Sequence, residues 1–267
     1  MNISMADPFF NTEDRELIYR SLDDILSNSL SMGENVEKFE NEFALKIGVN
    51  HAIAMNSCSS ALEAALSFYN IKGKEVIVPV ETFIATGMAI HLAGGKPIFA
   101  EISRKTLCLD IGDLEKKITS STAGVILVHM AGLITPNIFE IKNLCKKHNI
   151  FLIEDAAHTP GSELDKQQAG TIGDIGCFSF YPSKIITCGE GGMLTTNNNQ
   201  IAEFARSYQN RGRDMFSKVE IYKQIGRNVR MPEFSALLGR VQLSHLDENL
   251  KKRREIAAKY NSELSKL

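Results

Sequence analysis

The sequence predicts an α/β fold in which helices cover both faces of a mostly parallel sheet. Three observations lead there. Short apolar runs such as "VIVPV" and "IFLI" recur between stretches whose apolar residues fall at three- and four-residue spacing. The runs are continuously apolar rather than alternating, as strands buried on both faces are. The two kinds of segment take turns along the chain, without an internal repeat or a low-complexity linker.

In chain order, "EDRELIYRSLDDIL" and "GENVEKFENEFALKIG" read as amphipathic helices, each closed by a polar or glycine stop. "HAIAMN" reads as a strand, and "SCSSALEAALSFYNI" as a helix that its leading serines can cap. "KEVIVPVETF" is strand, "IATGMAIHLAG" helix and "KPIFAEI" strand. "TAGVILVHMAG" is strand, "NIFEIKNLCKKHN" helix and "IFLIEDAA" strand. In "FSFYPSKIITCGEGGML", Lys184 stands between an aromatic, β-prone run and a glycine cluster. Gly189, Gly191 and Gly192 predict a tight turn that brings "GGMLTT" back beside the lysine segment. "ENLKKRREIAAKY" reads as a helix with a solvated basic face.

Composition narrows the function classes. The chain has 267 residues, 43% of them hydrophobic, enough for one large domain whose core needs no disulfide or metal. A net charge of -2 gives no electrostatic case for nucleic acid. The longest apolar run, "AGVILVHMAG", is too short to cross a bilayer, and the opening residues lack the cationic and apolar regions of a signal peptide. Five cysteines without a C-x-x-C pair read as free thiols in a reducing compartment, so a cytoplasmic location is expected. Cys145 and His148 in "LCKKHN" lack the further ligands a zinc site needs.

Ligands of parallel α/β sheets gather beyond the carboxyl ends of the strands, which directs attention to the residues after each apolar run. After "HAIAM" come Ser57, Cys58 and Ser59 at a helix start, where free backbone amides suit a phosphate and where simple capping is the alternative. After "VIVPV" comes the aromatic Phe83. After "IFLI" come Asp155 and His158; an acid closing an apolar strand calls for a cationic partner, either a metal or a protonated ring nitrogen. Lys184, flanked by Ser179, Tyr181 and Ser183 in an apolar frame, has the setting of a nucleophile with a lowered pKa. A phosphate turn, an aromatic plate, a strand-end Asp and a buried Lys together are the components that grip pyridoxal 5′-phosphate (PLP).

The same pieces, in the same order, resemble the DegT/DnrJ/EryC1/StrS family of PLP-dependent sugar aminotransferases, of fold type I. The resemblance runs through "NSCSSALEAAL", "VIVPVETFIAT", "IEDAAHTPGS", "GTIGDIGCFSFYPSKIITCGEGGML" and "GRNVRMPEFSALLGRVQL". It implies that Lys184 is the Schiff-base lysine and proton shuttle, and that Asp155 partners the pyridine nitrogen. It further implies that His158 lies near the ring's phenolic oxygen, that Phe83 stacks on the ring, and that Ser57, Cys58, Ser59 and Ser179 serve the phosphate. Asn228 matches a residue reaching the phosphate from a second subunit, so a homodimer with shared sites is expected. The implied reaction moves an amino group, from glutamate, to a keto group on a nucleotide-linked sugar. Relatives that are sugar dehydratases carry histidine at the lysine position, so Lys184 favours transamination.

The resemblance also implies a domain plan: an N-terminal helical segment over 1–30, a PLP-binding large domain over 31–245, and a helix over 246–267 leading toward a smaller C-terminal domain that the sequence largely lacks. The alternative expectation is therefore a shortened, weakly active or inactive member that binds PLP or serves as a dimer partner.

Overall fold

In a computed structural model of the chain, residues 7–215 and 217–265 are described. The chain begins with α1 (Thr12–Ser27) and α2 (Glu34–Ile47), then β1 (His51–Met55), α3 (Cys58–Phe68), β2 (Glu75–Pro79), α4 (Ile84–Leu92) and β3 (Lys96–Ala100). It continues through α5 (Ile111–Lys117), β4 (Thr122–Val128), α6 (Ile138–His148) and β5 (Phe151–Asp155). A small hairpin, β6 (Glu163–Leu164) and β7 (Gln167–Gln168), precedes β8 (Ile175–Ser179) and β9 (Gly192–Thr196). Three helices close the order: α7 (Asn199–Gln209), α8 (Glu233–Ser244) and α9 (Leu246–Leu264).

The main sheet has seven strands in the order β1-β9-β8-β5-β4-β2-β3. Every neighbouring pair is parallel except the two that β9 makes, with β1 and with β8. Reversing β9 alone leaves the other six strands pointing one way, so their carboxyl ends share one edge. The alternation of side chains sorts the core. Ile53, Val76, Val78, Ile126 and Ile153 pack under α3, α4 and α7 on one face. Ala52, Ala54 and Phe178 meet α2 and α8 on the other, where Ile77, Val125, Leu127 and Leu152 meet α5 and α6. Each interior strand thus buries both faces, which is why its run is apolar without interruption.

Two strands are shorter than their apolar runs suggest. β2 stops at Pro79 and β4 at Val128. Beyond Val128, paired with Asp155 at the end of β5, the ladder has no partner, and Met130–Gly132 form a 3-10 turn with Ala131 at φ 52°. The sequence gives little sign of α5, a short helix capped by Asp110, whose side chain accepts from the Asp113 amide. The glycine turn returns β9 antiparallel to β8, the strand before Lys184, while Lys184 itself lies in the intervening loop. Gly189 takes φ 82°, and Gly192 lies so close to the backbone of Ser57 and Cys58 that a Cβ there would collide with both. α9 is exposed along almost its whole length, its basic run included.

Candidate active site

The shared carboxyl edge opens into a cavity of about 590 Å³. Ser57, Cys58, Ser59, Phe83, Asp155, His158, Ser179 and Lys184 all line it. Residues separated by more than a hundred positions meet there because β1, β2, β5 and β8 all end at the same edge. Asn228 is not among the lining residues. It is exposed, bridged to Asn210 on a segment that runs along the free edge of β1, where Met55 bridges Arg230. A second, more open cavity of about 450 Å³, beside Arg211, Arg213 and Arg230, holds neither Asp155 nor Lys184.

At the start of α3 the Ser57 hydroxyl accepts from the Ser60 amide at 3.1 Å and caps the helix. The amides of Cys58 and Ser59, in the first turn, have no acceptor among the described residues, so the helix start presents free donors and its positive dipole end to the cavity. The bare Cα of Gly192 lets this turn approach the sheet edge, since it pairs with Met55 on one side and Ser179 on the other. A cradle of amides at that edge fits a phosphate.

Asp155 closes β5 and is 6% exposed. Its carboxylate accepts from the Thr86 hydroxyl at 2.8 Å and from the Ala157 amide at 3.2 Å, with the Cys58 sulfur 4.0 Å away. Burial pushes its pKa up, against the lowering influence of those two hydrogen bonds and of His158 and His129. The acid is therefore short of positive partners. A protonated ring nitrogen placed against it would supply one.

Lys184 is half-buried in the loop after β8, its amide donating to the Tyr181 carbonyl at 2.9 Å. No carboxylate lies within salt-bridge distance of its ammonium among the described residues. Desolvation lowers its pKa, opposed by the negative charge of Asp155, and so raises the fraction of free amine. His158 is lowered as well, by desolvation first and then by the Lys184 charge, which leaves its imidazole the neutral form as a hydrogen-bonding group. Burial drives the Cys58 thiol far above its usual range, so the sulfur is no competing nucleophile. Phe83, the residue before α4, is 73% exposed with its ring at the cavity, an aromatic face with nothing of the chain stacked on it.

The free donors, the unmatched acid and the unpaired lysine fit the phosphate, ring nitrogen and aldehyde of PLP respectively. Two lining residues escape a reading of strand ends alone. Thr86 lies a turn inside α4 and His129 follows a run that looks like continuing strand. The periodicity of neither segment marks them, because their partners, Asp155 and Glu154, are distant in the chain.

Comparison with known proteins agrees with this geometry. Residues 12–267 match the model of the DegT/DnrJ/EryC1/StrS aminotransferase family. The chain belongs to that family. It is 35% identical to the GDP-perosamine synthase of Caulobacter vibrioides over 99% of its own length and 71% of the relative's. It is 36% identical to the UDP-4-amino-4,6-dideoxy-N-acetyl-beta-L-altrosamine transaminase of Campylobacter jejuni, over 89% of this chain and 64% of that one. Among solved structures, Helicobacter pylori PseC, an aminotransferase of pseudoaminic acid biosynthesis, superposes with a TM-score of 0.88 at 29% identity, covering 97% of this chain and 70% of that chain. A putative sugar aminotransferase of Streptococcus pneumoniae in its PLP form gives a TM-score of 0.88 at 26% identity over 98% and 71%. The chain thus spans roughly two thirds of the length of these relatives. Among the described residues no helix is long and apolar enough to cross a membrane.

Proposed function

We propose that this chain is a PLP-dependent aminotransferase acting on a keto group of a nucleotide-linked sugar, with glutamate as the amino donor. The observation that carries the reading is one cavity holding an unpaired lysine, a buried acid short of donors and the free amides of a helix start. The names of relatives that act on GDP- and UDP-linked sugars support the substrate class.

PLP, when bound, supplies a pyridinium ring that withdraws electrons from the carbon bearing the transferred amino group. The work of the chain is to hold and to move protons. Asp155 holds the proton on the ring nitrogen. The amides of Cys58 and Ser59, with the hydroxyls of Ser57 and Ser179, bind the phosphate. Phe83 would cover one face of the ring and His158 would meet its phenolic oxygen. Lys184 Nζ would anchor the cofactor, and as a free amine it would hold and move the proton of the reacting carbon.

We further propose a homodimer in which Asn228 serves the cofactor phosphate of a second copy. Its exposure outside its own cavity supports this, as does α4, which leaves Ile84, Met88 and Leu92 exposed at four-residue spacing beside the cavity. Dilution should then dissociate the dimer and release PLP together, and a monomer that keeps PLP at every concentration would refute the arrangement.

The test of the activity begins with borohydride reduction of the PLP-loaded protein. One stable adduct on Lys184 is expected, absent in Lys184→Ala, and an adduct on another lysine would overturn the site. Amination of a keto-sugar nucleotide by glutamate then checks the reaction, with no product from Lys184→Ala.

A further inference from the structure

Phe83 and Asp155, the aromatic plate and the acid, lie on different elements. They must keep a fixed relation if one is to cover the ring while the other meets its nitrogen. Packing does not fix the plate, since Phe83 is 73% exposed and α4 begins there without a side-chain cap. Two threonines supply the tie. The Thr86 amide donates to the Phe83 carbonyl at 3.0 Å, and the Thr86 hydroxyl donates to Asp155 Oδ2 at 2.8 Å. The hydroxyls of Thr82 and Thr86 lie 2.7 Å apart, so the pair brackets Phe83 in the chain. A threonine hydroxyl has one hydrogen, and an ionised carboxylate only accepts. With the Thr86 hydrogen given to Asp155, Thr82 donates to Thr86, and a line of donors runs along the cavity wall to the acid. Thr86 is fully buried and Thr82 half-buried, and both line the cavity. A buried hydroxyl in a largely apolar helix is costly unless partnered, and the partner here is the acid.

We propose that Thr86, with Thr82 behind it, is the positioning residue that sets the aromatic plate and the acid in register for the cofactor ring. Its hydroxyl aims Oδ2 of Asp155, and its amide holds the Phe83 backbone at the start of α4. The other carboxylate oxygen, Oδ1, takes the Ala157 amide at 3.2 Å, so Oδ2 carries the link to α4. The inference rests on the reading of the cavity as a PLP site. A donor to the carboxyl also favours its charged form. Exchanging threonine for valine changes no charge, so the titratable groups around Asp155 stay as they are. These are His158 beyond β5, His129 after β4, Lys184 after β8, the thiols of Cys58 on α3 and Cys177 on β8, and Glu154 on the same strand.

The first test follows the Asp155 carboxyl by ¹³C NMR in the cofactor-free protein. Thr86→Val keeps the shape of the side chain without its hydroxyl and should raise the titration midpoint, whereas Thr86→Ser should leave it near the parent value. Thr82→Val keeps the bond to Asp155 but removes the donor behind it, and should shift the midpoint the same way by less. The second test is PLP binding. Affinity should fall by about tenfold in Thr86→Val and stay with the parent in Thr86→Ser. Parent-like midpoints in Thr82→Val and a folded Thr86→Val would overturn the proposal, and an unmoved Thr82→Val decides against it if Thr86→Val does not fold. A serine variant that behaves like the valine one would also overturn it, because the methyl group and not the hydroxyl would then matter. So would a shifted midpoint with PLP affinity unchanged. If borohydride gives no Lys184 adduct while the cofactor-free midpoint still shifts, the cofactor reading fails and the tie between Thr86 and Asp155 stands.

Discussion

Glu154 and Asp155 are adjacent on one strand and both buried, yet their surroundings differ sharply. Glu154, on the rear face, is met by four donors. Asp155, on the cavity face, has a threonine hydroxyl, one amide and a distant thiol, that of Cys58. Burial disfavours both charges; the rear face compensates and the cavity face does not. The difference teaches where this fold keeps its reactivity. An acid that only braces the structure is saturated by the protein, whereas an acid meant for a ligand is left partly unsatisfied. Lys184 follows the second pattern, half-buried without a carboxylate partner. Glu233 follows the first: its carboxylate takes the amides of Gly33, Asn35 and Val36 and caps the start of α2.

The largest test of the contrast is stability. Glu154→Ala strips three amides and an imidazole of their acceptor, and should destabilise the cofactor-free protein by about 3–5 kcal/mol. Asp155→Ala should lose no more than about 1 kcal/mol, because it releases a poorly matched charge. Urea unfolding of the two variants measures both, and equal losses would break the comparison.

A smaller effect is expected at the cavity edge. Gly192→Ala pushes a methyl group into the backbone of Ser57 and Cys58, and overpacking of this kind costs about 1–3 kcal/mol. The start of α3 must shift to relieve it, so PLP affinity should fall by about tenfold for each 1.4 kcal/mol of binding lost. A PLP titration that matches the parent would show that the approach of Gly192 does not set the phosphate cradle.

The smallest effect sharpens the contrast by its sign. With its folded-state pKa above the ordinary 3.8, Asp155 takes up a proton on folding. Its contribution is full below that value and fades as pH rises through the raised one. Asp155→Asn removes the fade, so at neutral pH the cofactor-free variant should be slightly more stable than the parent. Glu154, held below 4.5, has the opposite sign: its contribution is full above that value and is lost as pH falls through the lowered one. Glu154→Gln should therefore flatten the acid limb of the stability curve. Urea midpoints measured across the acid range give both slopes, and slopes of one sign would refute the assignment.

Much of the site was legible in the chain because its groups follow apolar runs. Asp155 ends one, Ser57 to Ser59 follow another, and Phe83 follows a third. Lys184 was visible as a cation between an aromatic segment and glycines. Thr86 and His129 were not, since threonine inside a helix and histidine after a strand are ordinary until a distant carboxylate meets them. Glu154 lies beside Asp155 in the strand run "IFLIEDAA", and nothing local assigns the two acids to different tasks.

The sequence by itself determined the alternation of strands and helices up to β5 and the parallel character of the sheet, and it marked Lys184 and Asp155 as the candidate pair. Those features are local: strand burial writes itself into the composition of the run, and a costly polar group beside it stands out. Only the tertiary structure decided which carboxylate is saturated and which is not, because the donors to Glu154 come from His129, 25 positions before it, and from a loop 16 to 19 positions after it. It also decided that Thr86, 69 positions before Asp155, holds that acid. Hydrogen bonds between distant residues leave no period in a chain, and the parallel sheet brings such residues together by ending its strands along one edge.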